Sequence, residues 1–279
     1  MWIMNTRAGE VVVGYDGSAD SELALDWADA LAAEQGRPLR VLISEVDVTQ
    51  VLEATSDWHA AKMAQLESDA RDRLAGARSR EVELELSPLP ATQALVDASA
   101  KASTVVVGAR GHSVLSGVVL GSVSQHVSRH ASCPVVVARP PHQPETDRVV
   151  VGVDGSTGSR KALEVAFDHA SRTNAPLTAI HAWRNTGYGH GGEGLVEEIR
   201  SAERILSEAL AGFADQYPDV KVTTEAIPVA PHRALADAAR TAALVVVGSR
   251  GLGAFAGLLL GSVSQSVLHH AECTVAVVR

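Results

Sequence analysis

Short apolar runs recur along the chain, separated by stretches in which apolar residues return every three or four positions. Residues 10–14, Glu-Val-Val-Val-Gly, read as a buried parallel strand that ends on a glycine. Tyr15-Asp16-Gly17-Ser18 is the turn after it, and Asp20 or Ser21 is placed to cap the next helix. Leu23, Ala24, Trp27, Ala28 and Leu31 recur at helical spacing until Gly36-Arg37-Pro38 stops the helix. A second strand is expected over 39–46, an ill-defined crossover over 47–59, a long helix over 57–74 and a turn over 75–80. Residues 81–86 alternate charged and apolar side chains and read as a strand with one wetter face, broken by Pro88-Leu89-Pro90. An Ala-rich helix over 91–102, a strand over 104–107, a helix over 122–129 and a strand over 135–138 complete the first half. The order is βαβαβαβαβ, which predicts an α/β fold with helices on a mostly parallel sheet.

The pattern then restarts. Pro140, Pro141 and Pro144 lie among polar residues at 139–147 and read as a short stiff linker, dividing the chain into domains at 1–143 and 144–279. Arg148-Val149-Val150-Val151-Gly152 repeats the first strand, and Asp154-Gly155-Ser156 repeats Asp16-Gly17-Ser18. Residues 108–139 and 248–279 share 17 identities in 32 ungapped positions, so the halves are a duplication. In the second half, strands are expected over 176–181, 221–226, 244–247 and 275–278. Long and short helices are expected over 195–213 and 233–240, with 187–194 as a glycine-rich loop and 228–231 as a breaker. The halves differ most in the crossover after their second strand, and segments 50–60 and 186–195 are candidate lids or partner contacts.

Composition narrows the class. An apolar share of 46% over 279 residues suits two globular domains of ordinary size. A net charge of -9 argues against a general binder of nucleic acid or anionic membrane. No apolar run reaches membrane-spanning length, and residues 1–10 lack a signal-peptide core, so a cytoplasmic location without membrane insertion is expected. The two cysteines, Cys133 and Cys273, hold matching positions and read as buried core thiols. His126 and His130 lie four apart near Cys133, but the first has Ser266 as its counterpart, so no metal site is expected.

The strongest chemical signal is a frame present twice. Gly108-Ala-Arg110-Gly111, nine residues, then Gly121-Ser122-Val123-Ser124 is repeated as Gly248-Ser-Arg250-Gly251, nine residues, Gly261-Ser262-Val263-Ser264. Each copy follows an apolar strand and opens a helix. Glycines let a backbone approach a ligand closely, and N–H groups at a helix start attract anions. A phosphate cradle is one reading; tight turns and close helix packing are the other. Arg110 and Arg250 are equally readable as phosphate contacts and as solvated loop residues. Walker-type chemistry is excluded by the missing lysine, and residues 14–17 do not fit a dinucleotide fingerprint.

With these motifs, residues 9–139 and 147–279 each resemble the universal stress protein family, in the tandem two-domain form found in actinobacteria. The resemblance implies two α/β sandwich domains, Rossmann-like and similar to the adenine nucleotide α-hydrolases, each with a five-stranded sheet. It implies one ATP site per domain, with Mg²⁺. Asp16 and Asp154, with the main chain at Gly14 and Gly152, would contact the nucleoside end. Ser44 and Ala182 would offer backbone groups to the adenine. Gly108, Gly111, Gly121, Ser122, Val123 and Ser124 would wrap ribose and phosphates, as would Gly248, Gly251, Gly261, Ser262, Val263 and Ser264.

A stress-response regulator that binds ATP without fast catalysis is the leading expectation, since no water-activating group accompanies the frame. A slow ATPase or nucleotidyl-transfer enzyme and a nucleotide-stabilised scaffold are the alternatives. The short apolar last strands invite pairing, and a homodimer with a further protein partner is expected.

Overall fold

A computed structural model gives the protein's structure and describes residues 9–46, 56–111, 120–143, 146–184, 192–253 and 259–279. The chain divides into two compact units, Met1–Arg139 and Pro140–Arg279. The segments 47–55 and 185–191, which contain most of the two candidate lids, lie outside the described residues.

In the first unit β1 (Val11–Gly14) is followed by α1 (Ala19–Gln35), β2 (Leu39–Val46), α2 (Ser56–Arg73), β3 (Val82–Pro90) and α3 (Ala91–Ala98). The chain then forms β4 (Thr104–Gly108), α4 (Ser122–His130) and β5 (Val135–Ala138). The strands are parallel, in the order β3-β2-β1-β4-β5. Helix crossovers cover both faces of such a sheet, which is why β1 and β4 are runs of valine rather than an alternation; Val11, Val12 and Val13 are fully buried. α1 starts where Ser18 caps it, accepting a hydrogen bond from the Ser21 N–H. It stops at Gly36, whose left-handed φ of 62° suits glycine. Arg73, at the end of α2, reaches Asp26 at 2.6 Å and Glu22 at 2.9 Å on α1.

The second unit repeats this plan with β6 (Val149–Gly152), α5 (Thr157–Thr173), β7 (Leu177–Ala182), α6 (Gly192–Leu210) and α7 (Phe213–Gln216). β8 (Val222–Ile227), α8 (Pro231–Ala239), β9 (Leu244–Gly248), α9 (Ser262–His270) and β10 (Thr274–Val278) follow. Its parallel order is β8-β7-β6-β9-β10. Ser156 caps α5, and Asn174, at φ 54°, ends it. The fully buried Phe167 stacks on Phe213 at 4.6 Å and on Tyr217 at 5.4 Å, which docks α7 against α5.

Several boundaries differ from the sequence reading. The cap of α1 is Ser18, not Asp20 or Ser21; Ser21 supplies the capped N–H and returns its own hydroxyl to the Ser18 carbonyl at 2.8 Å. β3 runs through Pro88 and Pro90 rather than ending before them. The Leu39 N–H bonds the Glu81 carbonyl at 2.8 Å, so odd positions of β3 face β2 and even positions, Pro88 among them, face the sheet edge, where no N–H is needed. α3 ends at Ala98, four residues short of the expected limit, because residues 99–101 fold into turns. The helix expected over 195–213 runs over Gly192–Leu210, and a separate short helix starts after Gly212, whose φ is 85°. Pro231 starts α8 instead of breaking the chain, since the first helical position needs no N–H.

Candidate functional site

In each unit the sheet order reverses between two neighbouring strands. β1 leads sideways to β2 and β3, whereas β4 lies on its other side; β6 and β9 do the same. The crevice outside the carboxyl ends of such a strand pair is where open parallel sheets take ligands. The Asp16 turn follows β1 and the first glycine frame follows β4, so both parts of the motif meet at this point. Asp154 and the second frame meet in the same way after β6 and β9.

The aspartates organise the turn. The Asp16 carboxylate accepts from the Ser18 hydroxyl at 2.6 Å and from the Ser18 N–H at 3.0 Å. Gly17 takes φ 80° to make the bend, as Gly155 does. The other oxygen of Asp16 points at Gly111: a Cβ there would come within 2.5 Å of Oδ2. In the second unit Asp154 accepts from the Ser156 N–H at 2.9 Å and from the Leu252 N–H at 3.1 Å, so it bridges the two halves of the crevice. Burial pushes the Asp154 carboxyl up, but the hydrogen bonds from Ser156, Ser159 and Leu252 outweigh it and hold the group below its usual range.

The glycines of the frame serve different purposes. A Cβ on Gly108 would lie 2.6 Å from the Asp20 carbonyl group, and one on Gly248 would lie 2.7 Å from Gly158, so these residues let the strand end touch the first turn of α1 or α5. Gly14 and Gly152 pack on Leu95 and Leu235, each with 3.0 Å of room. Gly121 and Gly261 are the N-caps of α4 and α9, pressed against the main chain of Arg110 and Arg250, and neither offers a side chain to cap its helix. α1 and α5 have their N-termini closed by Ser18 and Ser156, whereas α4 and α9 open onto the crevice without a side-chain cap. An uncapped helix start presents N–H donors and the positive end of the helix dipole to an anion.

The serines divide likewise. Ser122 and Ser262 are exposed at the first helical position, with Val123 and Val263 half-buried beside them. Ser124 and Ser264 are buried, and their hydroxyls donate to the Gly108 and Gly248 carbonyls at 2.5 and 2.6 Å. They brace helix against strand. Ser44 and Ala182 occupy equivalent positions, each two residues beyond the partner of the glycine ending β1 or β6. The Ser44 hydroxyl donates to the Leu89 carbonyl at 2.7 Å. Arg110 and Arg250 are both exposed at the crevice mouth. Arg110 bonds Asp20 through Nε at 3.0 Å, and this pairing raises its pKa.

The sequence reading gave no site role to Ser18, Ser156, Asp20, His181 or Trp183. The repeated Asp-Gly-Ser-x-x-Ser spacing, residues 16–21 and 154–159, already carried the first two. His181 bonds the Val153 carbonyl at 2.7 Å and stacks on Trp183, whose indole N–H donates to Glu198 at 2.8 Å. The first unit has Ile43 where the second has His181, so this aromatic pair has no duplicate. His126 and His130 stack at 4.1 Å, and no group of three possible metal ligands occurs among the described residues.

Comparison with known proteins agrees with this architecture. The model of the Universal stress protein family matches residues 9–139 and 145–279. A universal stress protein of Mycolicibacterium smegmatis is 37% identical over 283 residues, covering 96% of both chains. One of Mycobacterium tuberculosis is 37% identical over 285 residues with the same coverage. A crystal structure of a universal stress protein from Archaeoglobus fulgidus superposes with a TM-score of 0.70, covering 98% of this chain and 99% of the other, at 21% identity, a likeness of fold alone.

Proposed function

This chain belongs to the universal stress protein family, and from that premise we propose that it is a stress-response regulator that binds ATP once in each unit, at the crevices after β1 and β4 and after β6 and β9. The domains in this reading are residues 1–143 and 144–279. The observation that carries it is the coincidence, in both units, of a sheet reversal with an uncapped helix start, Gly121 or Gly261. Ser122 and Ser262 and the first-turn N–H groups would hold phosphate, and the turns at Asp16 and Asp154 the ribose or base. Asp154 already accepts hydrogen bonds at both oxygens, which favours Mg²⁺ carried by the phosphates rather than by this carboxylate. Binding would act by differential affinity for two states of the chain, read by a protein partner in the cytoplasm, with the chain as a homodimer.

The test is to denature the purified protein, release its small molecules and count adenine nucleotide per chain, with and without prior loading with ATP and Mg²⁺. About two per chain is the expected result under the one-site-per-unit reading. No nucleotide before or after loading refutes it.

A further inference from the structure

The two crevices are copies, but the first turns of the helices beside them differ in charge, and one of the differing positions touches the frame. Two residues beyond the capping serine, the first turn of α1 carries Asp20, and the first turn of α5 carries Gly158. Both positions face the residue that stands between the first two glycines of the frame. In the first unit Asp20 takes Arg110 by two contacts, Nε at 3.0 Å and a terminal nitrogen at 3.5 Å. The Asp20 side chain is only 16% exposed, so the arginine lies over a carboxylate that is largely shielded from water. In the second unit no carboxylate fits. The Arg250 carbonyl occupies the space that a Cβ on Gly158 would need. The Arg250 side chain is exposed and has no hydrogen-bond or ion-pair partner among the described residues.

Both arginines stand at the mouth of an uncapped helix, with their Cα atoms 3.4 and 3.5 Å from where a Cβ on Gly121 or Gly261 would be. Beyond the aspartate that each crevice holds, Asp16 or Asp154, the mouth of the first carries Arg110 and Asp20, whose charges cancel, and that of the second carries Arg250 alone. A guanidinium bonds phosphate oxygens in pairs; Asp20 engages the Nε edge of Arg110 and offsets its charge, leaving only the remaining N–H donors for a second anion. A carboxylate at the same place also repels each added phosphate.

Resting on the reading that both crevices take adenine nucleotides, we propose that they are matched to different phosphate lengths. The second unit takes a nucleoside triphosphate through Arg250, and the first, with Arg110 held by Asp20, does not distinguish tri- from monophosphate. The chain then responds to two features of a nucleotide pool: its triphosphate content through one crevice and its total adenine nucleotide through the other.

The test uses the full chain with one crevice closed at a time. Gly251→Val closes the second, because a side chain there overlaps the Asp154 carboxylate, and Gly111→Val closes the first in the same way. AMP and ATP are titrated by calorimetry, first without metal and then with Mg²⁺, and the series in which both crevices bind decides. The preference for ATP over AMP is expected to be on the order of tenfold greater in the second crevice. Arg250→Ala should remove that preference while leaving AMP affinity in place, and Asp20→Ala should confer it on the first crevice. Arg250→Ala and Asp20→Ala are also made singly in the otherwise intact chain, so that a folding failure of either valine variant leaves the comparison standing. Equal preferences in the two crevices overturn the proposal, as does a loss of ATP affinity on Asp20→Ala, which would make that carboxylate a cation holder. Absence of binding by either crevice overturns the ATP reading itself, and this proposal with it.

Discussion

Replacing Gly108 by alanine is a severe test of how the crevice is built. The added Cβ falls 2.6 Å from both the carbonyl carbon and oxygen of Asp20 and 2.8 Å from the Ser21 nitrogen. Carbon atoms in contact normally sit about 3.5–4.0 Å apart, so β4 and the first turn of α1 must separate by most of an ångström. All three atoms met are backbone, and none can rotate away. Overpacking of this kind costs about 1–3 kcal/mol. The same movement pulls on the Ser18 cap, whose bond to the Ser21 N–H is already 3.3 Å and whose loss is worth about 1 kcal/mol more. The first unit should therefore lose about 2–4 kcal/mol. With a urea dependence of about 2 kcal/mol per molar, its midpoint should fall by about 1–2 M. Trp183 is the one tryptophan in the second unit, so a Trp183→Phe background lets tryptophan fluorescence report the first unit alone. Gly76→Ala, where a Cβ meets nothing within 4 Å, is the control. A Gly108→Ala midpoint within experimental error of the control would refute the close-approach account of this glycine.

Three further outcomes are expected. Ser124→Ala leaves a strand-end carbonyl without its buried donor and should cost the first unit about 1–3 kcal/mol in the same urea assay; Ser264→Ala should cost the second unit as much, read by circular dichroism of the chain that keeps Trp183. His169 is pushed below the ordinary histidine value by burial, with Asp168 opposing. Its contribution to stability is therefore full above about pH 6.5 and lost as pH falls through the depressed folded value; the thermal midpoint at pH 5.5 should lie below that at pH 7.5, and His169→Leu should shrink the gap. Phe213→Ala removes the ring stacked on Phe167 and should destabilise the second unit by about 3–5 kcal/mol, read by the circular dichroism of the unfolding transition.

The duplicated plan was legible because parallel strands buried on both faces write themselves as valine runs, at 11–13, 105–107, 149–151 and 245–247. Helix ends were legible where one residue dominates, as at Gly36. They were not where two candidates competed: Ser18 outdid Ser21 because an N-cap bonds the N–H three residues on, and only the backbone path says which serine stands at the bend. Pro88 misled because its meaning depends on which side of the strand faces a neighbour. Gly212 sat inside an otherwise helical pattern with no local sign of its left-handed φ. At the site, the position of both frames was readable, yet the packing duties of their members were not. Gly108 and Ser124, expected from the sequence to wrap a ligand, also brace β4 to its neighbouring helices, a role visible only in three dimensions. The difference between Asp20 and Gly158 was in plain view, but it acquires significance only once Arg110 is seen to reach across 90 residues to it.

The outer strands also differ in how they meet the solvent, and this bears on how the chain would fail. β3 turns its even positions outward, and Pro88 there has no N–H to offer an arriving strand. In the second unit the Leu177 N–H bonds the Lys221 carbonyl, so Val222, Thr224 and Ala226 turn intact N–H groups outward along β8. Its sequence, Val-Thr-Thr-Glu-Ala-Ile, is rich in β-branched residues, and the charge that interrupts it, Glu225, lies 3.8 Å from Arg148. Misassembly in heated or concentrated samples should consequently have a polarity, growing by templated accretion faster at the β8 edge than at the edge of the first unit, where Pro88 interrupts the row of outward N–H groups.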